Sequence, residues 1–332
     1  IRMGMRGVVI SDMLQGIVAY IGGTAIIIGL ILWLAFGHGF SLSNLHPAQV
    51  TLPGLGSAVG PLYVFAIIFS GALGGWCWPS VFIRLYTANS VRSVQRAGAF
   101  GAPLSFLFAG GLVILGLLAS FLPEVAKAPD AMWFTVCQMA GGPVLLGLGG
   151  VVVLAATMGN VDGNIQASGA QIANDIVGVY KPLDHKQSVI IAKIGMLIVT
   201  LVSAWLSTIA IPHLFMLAIL SYQGIIQLAV PQYLGVFWKG GNKAGAIAGV
   251  IIGFVAAVVL QSIYPTSIGW AWGLTSGVIA LALNFLVYAG CAVFLPASAE
   301  ERSRVAGLFD LTSSKTPSAS AIGALALKPR RA

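Results

Sequence analysis

Charge is what this sequence has least of: Asp, Glu, Lys and Arg make up 8% of its 332 residues, against roughly 25% in soluble globular chains. So few charges cannot cover the surface of a water-soluble fold of this length. Cysteine is scarce as well. Cys77, Cys137 and Cys291 are far apart and lack paired ligand spacing, so neither a disulfide framework nor a zinc site is indicated. Enzyme signatures are missing too. None of His38, His46, His185 and His213 opens an HExxH, and there is no GxSxG and no GxxxxGK[ST]. No motif asks for an organic cofactor. A basic segment followed by a short apolar run and a cleavage site is absent, and the chain opens on Ile1, so it reads as a piece of something longer.

What is present is apolar. Hydrophobic residues make up 58% of the chain and the mean hydropathy is +0.95. The apolar runs are about 20 residues long, the length a helix needs to cross hydrocarbon, and they lack the alternation of a membrane barrel. The fold class is therefore all-α, a polytopic bundle surrounded by membrane lipid. Eight spans are expected near 12–35, 59–83, 98–122, 142–165, 188–207, 212–238, 243–264 and 270–295. The formal charge of +8 does not indicate nucleic acid, because the charges sit in loops and build no basic face. Threading the spans through the membrane puts 16 of the 17 Lys and Arg residues on one side and only Lys127 on the other. Basic residues are retained on the cytoplasmic side, so both ends of the chain are expected there, in a cell membrane. Trp33, Trp133, Trp205, Trp238, Trp270 and Trp272 fall near span ends, at headgroup level. Residues 1–296 form the transmembrane domain in this reading. Residues 297–332 form a cytoplasmic tail with an amphipathic start, Glu300 to Phe309, and a largely disordered Ser/Ala/Thr-rich remainder.

Small residues explain most of the glycine. Gly147, Gly149 and Gly150, and the ladder Gly245, Gly249 and Gly253, read as close helix packing. Span two differs, because Gly71, Gly74, Gly75 and Pro79 fall within one helix. Gly costs about 1 kcal/mol and Pro about 3 kcal/mol in a helix interior, so the segment is expected to kink or unwind. Broken helices at membrane depth line cavities, and transporters use them to hold solutes. Gly74, Gly75, Trp76, Trp78 and Pro79 are therefore candidate solute-binding residues, the two indoles offering flat walls; a proline kink that serves only packing is the alternative. In span four, Asn160, Asn164, Ser168, Gln171 and Asp175 recur at three- and four-residue steps and make one stripe polar. Asp162 lies in the body of this span and Asp12 at the start of span one. Ionisable groups in spans point by default to ion or proton pathways, although Asp162 can also be read as a helix-end anchor.

Three stretches carry a resemblance. Gly4-Met5-Arg6-Gly7-Val8-Val9-Ile10-Ser11-Asp12-Met13-Leu14-Gln15 is similar to G-M-x-A-V-x-x-T-D-x-x-Q. Gly75 through Pro79 to Arg84, with Tyr86-Thr87-Ala88-Asn89-Ser90 and Arg92, is similar to G-x-P-H-x-x-x-R-x-x-T-A-x-S-x-R. Ala155-Ala156 to Asp162, and on to Asp175-Ile176, resembles A-A-x-M-S-T-x-D-S ending in D-I. In these the chain resembles the sodium:solute symporter family. The resemblance implies a LeuT-type fold of two inverted five-helix repeats, with span one as the fifth core helix and the first four missing. It also implies a sodium site whose span-four ligands map onto the Ala156 carbonyl, Gly159 and Asn160. Gly159 and Asn160 stand where the family has Ser and Ser/Thr, and Ser80 stands where many members have His. The function implied is cation-coupled symport of a small polar organic solute, with sodium as the coupling ion. Asp12, Gln15 and Asp162 are candidates for coupling or gating. Proton coupling through Asp162, a solute sensor of the same fold, and an intramembrane enzyme are the alternatives.

Overall fold

The computed structural model describes residues 4–37, 40, 43, 45–209 and 214–313. These residues are helical, with no strand among them beyond an isolated bridge between Ile268 and Leu274. The helices that matter below are α1 (Gly4–Gly16), α2 (Gly23–Leu32), α3 (Tyr63–Cys77), α4 (Pro79–Leu85), α5 (Val91–Ala119) and α6 (Met132–Gln171). They are followed by α7 (His185–Leu206), α8 (Leu214–Ile225), α9 (Ala229–Phe237), α10 (Lys243–Ile263), α11 (Ser276–Phe294) and α12 (Ala299–Ser313). Seven stretches among the described residues are long and apolar enough to span a membrane, or eight if α3 and α4 count as one broken span. That agrees with the eight expected.

Boundaries differ from those expected where local backbone geometry overrides the hydropathy pattern. The first span begins earlier than expected, because α1 runs on through a π-helical stretch, Ile17–Gly22, into α2. The fourth is longer than 142–165. A helix before it joins at Gly141 and Gly142, the latter at φ 59° and ψ −152°, ahead of Pro143. Only glycine takes that conformation without strain. The last span starts at Ser276 and not 270, because residues 269–273 form a turn in which Trp272 is left-handed at φ 55°. The amphipathic start of the 297–332 segment is a helix, α12; residues 314–332, the rest of the expected tail, lie outside the described residues.

The chain divides into two compact units, one of residues 1–52 and 78–217, the other of 53–77 and 218–332. In the first, α2 packs on α5 around Ile27, Leu30, Leu34, Leu115 and Leu118, with Val136 and Cys137 from the start of α6 completing the core. Glycines set the closest approaches: a Cβ on Gly111 would lie 2.8 Å from Ile27, and one on Gly23 2.9 Å from Phe108. Helix α7 lies along α6, with Gly169 against Met196 and Gly195 against Ile172.

In the second unit, α10 and α11 pair along the ladder Gly245, Gly249 and Gly253, which faces Tyr288, Asn284 and Gln227. The packing reading of that ladder holds. Asn242 ties the pair at one end, accepting from Gly245 N at 2.7 Å and donating to Cys291 O at 3.1 Å and Leu295 O at 2.5 Å. Helix α3 rests on the turn between α8 and α9, with Gly74 against the Tyr222 ring. Outward faces stay apolar: Ile251, Val255, Leu197 and Leu201 are all more than half exposed. Such faces suit lipid as solvent and would be untenable in water.

Candidate functional site

The break in span two is real, but the glycines do not make it. Gly71, Gly74 and Gly75 are helical within α3, and the chain leaves the helix at Trp78, which is extended at φ −63° and ψ 127°. Pro79 is the cause, since the pyrrolidine ring pushes its predecessor out of the α region and then serves as the first residue of a new helix. Gly74 has a packing task, because a Cβ there would lie 2.7 Å from Tyr222; Gly75 faces open space. Trp76 is 41% exposed and Trp78 half-buried. The chain also passes from one compact unit to the other at this break, so Gly74, Gly75 and Trp76 belong to one unit and Trp78 and Pro79 to the other.

A second cluster lies wholly within the first unit. Asp12 on α1 pairs with Arg84 on α4, Oδ2 to Nη2 at 2.5 Å, the side chains 22% and 42% exposed. One turn along α1, Gln15 donates its amide to Ser11 Oγ at 2.9 Å. That leaves Asp12 Oδ1 and Gln15 Oε1, both buried and without a hydrogen-bond partner among the described residues. Both oxygens converge on α6 at Gly159, where an added Cβ would lie 3.0 Å from Gln15 Oε1 and 3.2 Å from Asp12 Oδ1. One turn on, a Cβ at Gly163 would lie 2.7 Å from Arg84 Nη2 and 3.5 Å from the buried Ser80. Two glycines four residues apart therefore open a recess in α6 for a charged pair from two other helices.

The remaining expected residues lie beside this cluster. Asn160 and Ala156 are exposed. The Asn160 oxygen accepts from Asn164 Nδ2 at 3.1 Å, Asn164 also reaches Asn160 O at 3.0 Å, and Ser168 Oγ donates to Asn164 O at 2.9 Å. The polar stripe thus bonds along its own helix while Gly159, Gly163 and Ala167 make the packed face. Asp162 is half-buried and forms no ion pair among the described residues. Of the expected coupling residues, the structure brings Asp12 and Gln15 to Gly159 and leaves Asp162 apart. Sequence reasoning gave Arg84 and Ser80 no place in the site and missed Gly163. Arg84 was read as a loop charge after span two, whereas it sits on α4 and is the partner of Asp12. The available signal was the four-residue step from Gly159 to Gly163 together with an arginine one and a half turns past Pro79.

Comparison with known proteins bears on this arrangement. The sodium/pantothenate symporter of Escherichia coli is 25% identical over 301 residues, covering 86% of this chain and 60% of that protein. The high-affinity proline transporter PutP of Bacillus subtilis is 23% identical over 269 residues, 77% of this chain and 55% of its own length. A sodium/proline symporter of Haemophilus influenzae is 22% identical over 209 residues, covering 60% and 42%. The chain spans about half the length of the curated relatives it matches. No solved structure matches. The family and these relatives are membrane transporters, not enzymes. A model of the sodium:solute symporter family matches residues 2–253, most of the chain, and together with the helical membrane fold this shows that the chain belongs to that family.

Proposed function

We propose that this chain is the larger part of a secondary-active symporter that couples sodium entry to uptake of a small polar organic solute. The cluster of Asp12, Gln15 and Gly159 carries this reading. Sodium is a hard cation and takes oxygen ligands. Gly159 offers no side-chain oxygen, yet Gln15 Oε1 and Asp12 Oδ1 crowd the position where a hydroxyl would stand, and both lack a partner. Buried acceptors without donors are costly, and a passing cation would satisfy them. In this reading Asp12 and Gln15 make good the oxygen that Gly159 lacks, the Ala156 carbonyl and Asn160 supply others, and the contact with Arg84 orients Asp12.

The solute would be held at the break around Trp78, by Gly74, Gly75, Trp76, Trp78 and Pro79, and alternating access would proceed around it. The printed names of relatives suggest the class: proline and pantothenate are small polar solutes that carry a carboxylate. The domain reading stays as 1–296 for transport and 297–332 for a cytoplasmic tail, with both ends of the chain on the cytoplasmic side of the cell membrane. The test is uptake of radiolabelled proline, pantothenate and a panel of sugars and amino acids by the full-length protein in proteoliposomes. Accumulation driven by a sodium gradient is expected. Accumulation driven by protons alone would transfer coupling to Asp162, and solute binding without flux would make the protein a sensor.

A further inference from the structure

Outside the transport machinery, one cavity combines charge with a position at the end of membrane helices. It measures about 190 Å³ and is lined by Lys239, Gly240 and Gly241 from the turn between α9 and α10, by Pro296 just beyond α11, and by Arg302 and Val305 of α12. Its charged lining is entirely cationic. Helix α12 is fastened over it twice: the Glu301 carboxylate accepts from Lys243 N at 2.6 Å, and Lys239 Nζ stands 5.3 Å from the centre of the Phe309 ring. Glu301, next in sequence to the lining Arg302, is thereby turned to the start of α10. Glu301, Val305 and Phe309 recur every four residues and are the half-buried face of α12, while Arg302 is exposed. The two glycines are required by aromatic walls: a Cβ on Gly240 would lie 2.8 Å from the Trp238 indole, and one on Gly241 would collide with the Tyr288 hydroxyl. Trp238 and Tyr288 pack together with ring centres 5.9 Å apart.

We infer that this cavity is a binding site for the phosphate headgroup of an anionic membrane phospholipid. Trp238, half-buried just beyond the end of α9, places the site at the level of the membrane interface, where Trp and Tyr concentrate. Two cations beside the ends of α9 and α11 supply the charge that anionic headgroups seek. Glycyl backbone lets a phosphate approach closely, and the apolar edges at Pro296 and Val305 suit the glycerol and upper acyl chain. Helix α12 would then be held to the bilayer by the lipid as well as by its two fastenings. The inference rests on the membrane fold and not on which solute is moved.

The test is native mass spectrometry of the purified full-length protein, titrated with phosphatidylglycerol or phosphatidylcholine, in the natural sequence and in the double variant Lys239→Gln, Arg302→Gln. Retention of phosphatidylglycerol over phosphatidylcholine is expected, falling by about 30-fold in the double variant if each cation contributes as juxtamembrane Lys and Arg do. Arg304→Gln, exposed and away from the lining, should bind as the natural protein does. Arg302→Lys should keep most of the preference, which separates charge from folding. Equal retention of the two lipids, or an unchanged preference in the double variant, would overturn the inference. Displacement of the lipid by millimolar inorganic phosphate would overturn it in favour of a free-phosphate site.

Discussion

Two buried polar clusters in this molecule use the same device to opposite ends. In the second unit, Gly249 and Gly253 open α10 to Asn284 and Gln227. There Gln223 Oε1 accepts from Gly277 N at 2.5 Å, Gln227 donates to Gly277 O at 3.1 Å, and Asn284 donates to Gln227 O at 2.7 Å. These neutral amides are almost fully spent on the backbone of adjoining helices, Asn284 Oδ1 alone being left against Gly249. In the first unit, Gly159 and Gly163 open α6 to Asp12, Gln15 and Arg84. That cluster is charged, and two of its acceptor oxygens are left open. A satisfied network fixes helices in place, while an unsatisfied one holds capacity for something that binds.

The comparison can be broken first at its rigid end. Gly277→Ala would drive a Cβ into the Gln223 amide, and loss of most folded protein is expected, the overpacking penalty of about 1–3 kcal/mol adding to a broken buried hydrogen bond. Size-exclusion yield and thermal unfolding would measure it, and a normal yield would show that the network is not the clamp described. Asp12→Asn should leave the fold intact but raise the half-saturating sodium concentration of uptake by about 30-fold, corresponding to ~2 kcal/mol for a charge-assisted contact. Gly159→Ser in the same background should recover part of that loss by restoring an oxygen; no recovery would mean that Asp12 does not substitute for the missing hydroxyl.

Smaller effects sharpen the picture. Trp76→Ala removes an exposed ring from α3 and should raise the KM for solute about tenfold, in line with the ~1.4 kcal/mol an aromatic contact contributes, with no change in yield. A lower yield with normal KM would make Trp76 a packing residue. Asn160→Ala should raise the half-saturating sodium concentration about fivefold, as expected for one neutral ligand worth ~1 kcal/mol. Unchanged sodium dependence would remove Asn160 from the site and leave Asp12 and Gln15 to carry it.

Periodicity and charge placement made the helices legible, because the bilayer imposes a length on each apolar run and a side on each lysine. The break in span two was legible as a break but was assigned to the wrong residues. Composition averages glycine and proline together, whereas proline acts on the single residue before it, Trp78. The extension of α6 was hidden because Gly141-Gly142-Pro143 looks like a helix end and is a kink. Asp12 and Gln15 stood out as coupling residues, but Arg84, quoted only as part of a motif, had no role, since one-dimensional reading treats a basic residue after a span as a loop charge. The amides of Gln227 and Asn284 gave no signal: isolated in apolar runs, each reaches a partner 50 or more residues away.

The division of the chain has a consequence for biosynthesis. Helix α3 belongs with residues 218–332, yet about 140 residues of the other unit are made between them. At ~5–20 residues per second that interval lasts roughly 7–30 seconds. Throughout it α3 is a newly inserted hydrophobic segment whose Gly74 face awaits Tyr222. The nascent chain therefore carries the Gly74 face of α3 without its Tyr222 neighbour until residues 218–332 emerge, and during that wait the insertion machinery, or a misplaced partner, has its opportunity to capture it.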